Sequence, residues 1–274
     1  MTFPKLSIIT VNLNNSNGLR KTIESVMNQT WQYFEFIVID GASTDGSVEI
    51  IKQYSQQINY WISEPDSGIY NAMNKGIRYA TGEYCLFLNS GDTLASADTL
   101  LQATSREWNA AVVYGDIYST QNGNALRLIK SPAPETITFL TFFRSSLPHP
   151  ATFIRRSLLN AANGYDESLT IVSDWAFFIK HIILENSSIQ HIPFPISIFD
   201  INGISSQTSS IPLIESERVM VIKKYFPRFF VDYQRLDRLE NVWESHGIQT
   251  IYSLHLIYRN LQTKIFPWRK KKKK

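Results

Sequence analysis

Four short β-rich runs alternate with three helical patterns between residues 6 and 92, and that alternation leaves few folds open. Leu6–Val11 reads as a buried strand. After the polar stretch 12–18, the apolar positions Leu19, Ile23, Val26 and Met27 fall at helical spacing. Phe36-Ile37-Val38-Ile39 is the second strand, ending at Asp40, and the cap-rich loop 41–47 feeds a helix carrying Val48, Ile51 and Tyr54. A third strand at Tyr60–Ile62 leads through Glu64-Pro65-Asp66-Ser67-Gly68 into a helix over Ile69–Ala80, with Gly82 expected as its left-handed C-terminal cap. Tyr84–Leu88 is the fourth strand and stops at Asn89-Ser90-Gly91-Asp92. Strands separated by helices pair in parallel and carry helices on the sheet faces, so the class is α/β. No Gly-x-Gly-x-x-Gly follows the first strand and no Gly-Lys-Ser/Thr loop occurs. A dinucleotide-binding domain and a phosphate-loop NTPase are both disfavoured.

The second half is less regular. Ala111–Tyr118 and Ala125–Lys130 flank Asn122-Gly123, a hairpin signal. Ala151–Ile154 reads as a strand, Asp174–Ile183 as a helix, and two short strands run up to Asp200. From Pro212, a favoured first helical residue, the pattern is helical. The organisation expected is an α/β domain over 1–205 and a C-terminal helical extension over 206–274. With 274 residues, 43% hydrophobic and 19% charged, the chain has enough apolar material for a full core, which excludes a disordered or collagen-like reading. Cys85 is the single cysteine, so an internal disulfide framework and a cysteine-rich metal site are excluded. No apolar run approaches the ~20 residues of a membrane span, and Met1–Lys5 opens no signal-peptide core, so a cytoplasmic location is expected.

The net charge of +3 hides an asymmetry, because Arg269 and Lys270 to Lys274 place six cations at the end. Without them 21 Lys and Arg face 24 Asp and Glu, a balance of −3. A nucleic-acid-binding domain carries its basic surface within the fold, so nucleic acid is not an expected partner.

Ligands of open α/β sheets gather at the carboxyl ends of strands. Asp40, Asp66 and Asp92 all fall there by sequence, after the second, third and fourth strands. A carboxylate in that place accepts from a base N–H, binds a ribose hydroxyl or holds a hard divalent cation. Each taken alone equally suits a helix cap, and three in one topological place weaken that reading. With no phosphate loop, a carboxylate-held metal is the alternative device for gripping a diphosphate.

Five ordered blocks resemble the family 2 glycosyltransferases, inverting nucleotide-sugar enzymes of the GT-A fold, and most nearly the bacterial polysaccharide-building members. They are 6–14, 25–30, 37–47, Asp66-Ser67-Gly68-Ile69-Tyr70-Asn71-Ala72-Met73-Asn74-Lys75-Gly76, and Leu88 to Asp92. The resemblance implies a GT-A mixed sheet flanked by helices. It also implies a nucleotide-diphospho-sugar donor, with a UDP-sugar favoured by family habit. Asp40 matches the nucleobase aspartate, Thr10, Val11 and Asn12 would line base and ribose, and Asp66 would be a second nucleotide acid. Lys75 would face the diphosphate or simply lie on the surface. Asn89-Ser90-Gly91-Asp92 stands at the family's Asp-Ser-Asp-Asp metal motif, with Asn and Gly at the first and third positions. Ser90, Gly91 and Asp92 would contact donor and metal, with Asp92 the remaining acid for Mn²⁺ or Mg²⁺.

The resemblance continues through Gly164-Tyr165-Asp166-Glu167 and Ser173-Asp174-Trp175. Ser173 takes the Glu place of the family's Glu-Asp pair, leaving Asp174 as general base or, more simply, as the cap of the next helix. His149 would approach the diphosphate or metal, or serve as a structural loop histidine. The implied reaction moves one sugar to a hydroxyl of a saccharide or lipid-linked acceptor in surface polysaccharide synthesis. A polyprenyl-phosphate sugar synthase and a non-catalytic nucleotide-sugar binder are the alternatives. No Gln-x-x-Arg-Trp segment appears, which favours single addition over processive synthesis. Ile248, Ile251, Tyr252, Leu254, Tyr258, Leu261 and Ile265 form an apolar stripe before the cationic end. It suits a peripheral helix on an anionic membrane surface, or packing on the domain or on a second subunit of a homodimer.

Overall fold

The computed structural model describes residues 6–120, 126–201 and 203–245. Its first elements alternate as expected: β1 (Leu6–Asn12), α1 (Ser16–Met27), β2 (Phe34–Asp40), α2 (Ser47–Gln53), β3 (Tyr60–Ser63), α3 (Ile69–Tyr79) and β4 (Tyr84–Phe87). After these come β5 (Thr93–Leu94), α4 (Thr99–Thr104), β6 (Val112–Thr120), β7 (Arg127–Ile129), α5 (Phe139–Arg144), β8 (Thr152–Arg155) and α6 (Arg156–Ala161). The last are α7 (Ser173–Phe178), β9 (Ile189–Asp200), α8 (Ile211–Tyr225) and α9 (Pro227–Ser245). Among the described residues the strands form one mixed sheet in the order β3-β2-β1-β4-β8-β6-β9-β5, with β7 on the side of β6. β3, β2, β1 and β4 run parallel, β8 runs antiparallel to both neighbours, and β6 and β9 are again parallel.

Every residue of β1 is buried, because helices cover both of its faces. Leu6 and Ile8 pack with Leu19, Ile23 and Val26 of α1. Ile9, on the alternate face, lies under α3 at Gly76, where a Cβ would come within 2.5 Å of its side chain. Each such buried aliphatic side chain contributes about 1.5–3 kcal/mol. This packing places the carboxyl ends of the parallel strands level with one another. Asn12 pairs in register with Asp40, and Asp40 with Ser63.

Three local expectations need correction. α3 ends at Ala80 in extended backbone, and Gly82 has no positive φ. Gly82 is required by close approach instead, since a Cβ there would lie 2.6 Å from the backbone nitrogen of Ser7. The two short strands expected before Asp200 are one strand, β9, whose pairing with β6 shifts register on both sides of Asp116. Pro193 and Pro195 supply no N–H to the ladder there, so the strand bulges without ending. The helix expected over 174–183 starts at Ser173 and continues beyond Phe178 as a wider π-helical turn, Ile179–Leu184.

The chain forms two compact units, Met1–Val221 and Ile222–Lys274. The first takes in the opening turns of α8, where the buried Glu217 accepts from the backbone N–H groups of Thr170, Ile171 and Val172. The turn at Asn122-Gly123, the stripe 248–265 and the cationic end lie outside the described residues. Among the described residues no helix is long and apolar enough to cross a membrane.

Candidate active site

At the end of β2, Asp40 is fully buried and fully engaged. Its Oδ1 accepts from Asn12 Nδ2 at 2.7 Å and Ser43 Oγ at 2.6 Å, and its Oδ2 from the Ser43 N–H at 2.9 Å and Ser63 Oγ at 2.6 Å. Asp40 therefore ties together the ends of β1, β2 and β3. Thr10, Val11 and Asn12 are buried beside it, and Thr10 Oγ1 and Asn12 Oδ1 have no hydrogen-bond partner. Asp66 is only half-buried. Its Oδ1 accepts from the Gly68 N–H at 2.9 Å, and its Oδ2 lies where a Cβ on Gly41 would approach to 2.5 Å. The missing side chain at Gly41 makes room for that carboxylate. Lys75 is committed to the same loop, donating to the Pro65 carbonyl at 2.9 Å and pairing with Glu64 at 2.7 Å. A diphosphate would have to draw it from Glu64.

The loop after β4 is held from α1. Asn15 caps that helix by accepting from Gly18 N–H and donates from Nδ2 to the Ser90 carbonyl at 2.8 Å. Thr22 Oγ1 donates to the Asp92 carbonyl at 2.7 Å and accepts from the Gly91 N–H at 3.0 Å. Gly91 has φ +111, a conformation that penalises any side chain, so an acid at that motif position would be strained. Asp200 at the end of β9 stands close by, its Cβ 3.9 Å from where a Gly91 Cβ would project. Its N–H donates to Asp92 Oδ1 at 3.2 Å. Burial, and then the Asp200 charge, push the Asp92 carboxyl up to about 7.

This donor set suits a hard divalent cation. Two neighbouring carboxylates, Asp92 and Asp200, stand here, and Asn89 of the same loop has a buried Oδ1 with no hydrogen-bond partner. Asp92 and Asp200 would hold the ion together with ligand oxygens, since among the described residues no cluster of three or more His, Cys, Asp or Glu is placed to do so. His149 does not join that group. Its ring stacks on Phe87 at 5.0 Å, Nε2 meets the Tyr165 hydroxyl at 2.8 Å, and burial lowers its proton affinity, which leaves a neutral core imidazole.

Asp174 sits in the first turn of α7, where helix-terminal N–H groups favour a carboxylate. The residue before α7 is Val172, so Asp174 is not the cap. Tyr70 of α3 fixes its orientation. The Tyr70 hydroxyl is 2.8 Å from Asp174 Oδ1 and 2.5 Å from the Ile171 carbonyl, and burial with the nearby Asp174 charge keeps that phenol protonated. Glu167 clamps the preceding turn to α3 through Asn71 and Asn74, each at 2.8 Å, and Asp166 closes its own turn on Ser168. Asp174 opens on a cleft of about 360 Å³, whose walls include His149, Trp175 and Arg218. Sequence reasoning assigned no role to Thr22, Tyr70, Asp200, Glu217 or Arg218. Asp200 obeys the same strand-end rule that singled out Asp40 and Asp92.

The family model for glycosyl transferase family 2 matches residues 7–162. An uncharacterized glycosyltransferase of Mycobacterium tuberculosis is 31% identical over 208 residues, covering 74% of this chain and 78% of that protein. A PGL/p-HBAD biosynthesis glycosyltransferase of Mycobacterium bovis is 30% identical over 190 residues, covering 66% and 70%. Among solved structures, Staphylococcus aureus TarS 1-349 superposes with a TM-score of 0.63 at 23% identity over 81% of this chain. This chain spans 66% of that fragment, just under two thirds of its length. The Pyrobaculum calidifontis mannosyltransferase PcManGT, solved with GDP-Man and Mn2+, gives 0.61 at 15% identity, covering 84% and 68%. The chain belongs to glycosyl transferase family 2 and is a glycosyltransferase of the GT-A fold.

Proposed function

We propose that this glycosyltransferase moves one sugar, with inversion, from a nucleotide-diphospho-sugar to an acceptor hydroxyl, with Asp174 as general base. The observation that carries this reading is the oriented Asp174 carboxylate. It is half-buried, anchored at one oxygen by Tyr70 and open to a cleft large enough for a sugar. Direct displacement at an anomeric carbon needs one carboxylate to take the proton of the attacking hydroxyl. A covalent glycosyl intermediate would need a second carboxylate as nucleophile in the same cleft. Asp174 is the carboxylate on its walls.

On the donor side, Asp66 and the Asn12–Asp40–Ser63 row support a nucleoside at the ends of β1–β3. Asp92 and Asp200 support the diphosphate end. A divalent cation held there, Mn²⁺ or Mg²⁺, supplies charge neutralisation to the leaving diphosphate. A UDP-sugar is the expected donor. The test is nucleotide release from UDP-, GDP- and dTDP-sugars with and without Mn²⁺. We expect one nucleotide series to turn over at least ~10-fold faster than the others, with the metal required. Tight binding of one series without any hydrolysis or transfer at saturating Mn²⁺ would leave a nucleotide-sugar binder and overturn the reading.

A further inference from the structure

The cleft beside Asp174 contains two polar groups that the fold leaves unsatisfied. Arg218 of α8 is one: its Nε is buried, and its guanidinium has no hydrogen-bond or ion-pair partner among the described residues. Ser146 is the other, with a buried and unpartnered Oγ, and both residues line the cleft. A buried donor without a partner costs about 1–3 kcal/mol, and such groups are rare enough to require a reason.

Arg218 is also held in place from two sides. Its neighbour Glu217 accepts from three successive N–H groups, at 2.6, 3.0 and 3.2 Å, in the turn just before Asp174. The guanidinium carbon stands 5.0 Å from the centre of the Trp175 ring, and that indole is fixed by donating to the Phe142 carbonyl at 2.7 Å. A guanidinium carbon over an indole face is held by cation–π attraction, which uses none of its N–H donors on a hydrogen-bond acceptor. Lys130 adds a second cation to the walls, against one carboxylate among the described residues, Asp174. Burial lowers the proton affinity of the Arg218 guanidinium and the nearby Asp174 charge partly offsets this, yet no ion pair forms between them among the described residues. The remaining walls are largely apolar, with Ile117, Pro150 and Phe199 among them.

We propose that Arg218, assisted by Ser146, binds a phosphate ester of the acceptor beside Asp174, so that the enzyme selects an anionic acceptor. This rests on the transfer reading above and names its acceptor class. The donor's own diphosphate is the other source of the same chemistry. The titrations of UDP and of phenyl phosphate below tell these two sources apart.

Calorimetry at saturating UDP tests the assignment, with phenyl phosphate as probe and benzyl alcohol as its neutral control. The wild type should bind phenyl phosphate and not benzyl alcohol. Arg218→Gln should weaken that binding at least ~10-fold, Arg218→Lys should recover part of it, and UDP affinity should stay within ~2-fold throughout. Equal phenyl phosphate affinity in wild type and Arg218→Gln would overturn the proposal. A fall in UDP affinity with phenyl phosphate binding unchanged would overturn it too, by assigning Arg218 to the donor. If Arg218→Gln lowers the melting temperature, Ser146→Ala must weaken phenyl phosphate binding by ~3-fold or more with the fold intact, or the assignment fails. A wild type that binds none of UDP, GDP and dTDP would overturn the transfer reading itself.

Discussion

Replacing Asp174 by asparagine is expected to lower turnover about 10²–10⁴-fold while leaving the donor KM and the fold intact. Asparagine keeps the shape of the side chain, and its amide oxygen can still accept from the Tyr70 hydroxyl 2.8 Å away. What disappears is the one carboxylate that lines the cleft among the described residues. Its loss removes proton abstraction and spares binding, so kcat should fall and the donor KM should not. Tyr70→Phe should behave as a milder version, because it removes the group that orients the carboxylate and keeps the carboxylate itself. Steady-state kinetics on both variants, alongside thermal melts, check this. A fall confined to KM in Asp174→Asn, or a kcat within ~5-fold of wild type, would remove Asp174 from the chemistry.

Asp40→Ala is expected to unfold first. The carboxylate is fully buried and accepts four hydrogen bonds from Asn12, Ser43 and Ser63. Removing it leaves four donors without their acceptor at a fully buried carboxylate position, at a cost of about 2–4 kcal/mol. The ends of three parallel strands lose their common tie, so the donor KM should rise as a consequence of the stability loss. Asp66→Ala makes the contrast. That half-buried residue gives up one backbone N–H and one close approach to Gly41, so its substitution should raise the donor KM with a stability change within about 1 kcal/mol. Denaturant unfolding and donor titrations on both variants separate the two roles. Wild-type stability in Asp40→Ala would contradict this placement of the carboxylate.

The parallel half of the sheet was legible because strand and helix periods are local properties of residues 6–92, and strand-end acids follow from topology. Less visible was which acid is structural. Asp40 and Asp66 both follow a strand, and only the register of Asn12, Asp40 and Ser63 shows that one of them is consumed by the fold. The thinned motif Asn89-Ser90-Gly91-Asp92 gave no hint that a second carboxylate stands beside it. Asp200 is distant in sequence and reaches Asp92 because β5, which follows Asp92, pairs antiparallel with β9, Thr93 opposite Ile198. Gly82 follows a helix, the usual place of a cap, whereas its role is close approach to Ser7, a contact across the fold. For His149 the sequence leaves a ligand contact and a structural loop role open, and the aromatic packing of Phe87 and Tyr165 favours the structural one. Arg218 lay in a helix with no motif to distinguish it.

The central claim is that the strand-end carboxylates and Asp174 face one substrate from two sides. A crystal structure of the protein grown with the preferred nucleotide-sugar and Mn²⁺ tests it most directly. The account predicts the nucleoside at Asp66, an anomalous manganese peak between Asp92 and Asp200, and the sugar's anomeric carbon turned toward Asp174. A nucleotide seated away from Asp66, or manganese bound away from Asp92 and Asp200, would contradict it.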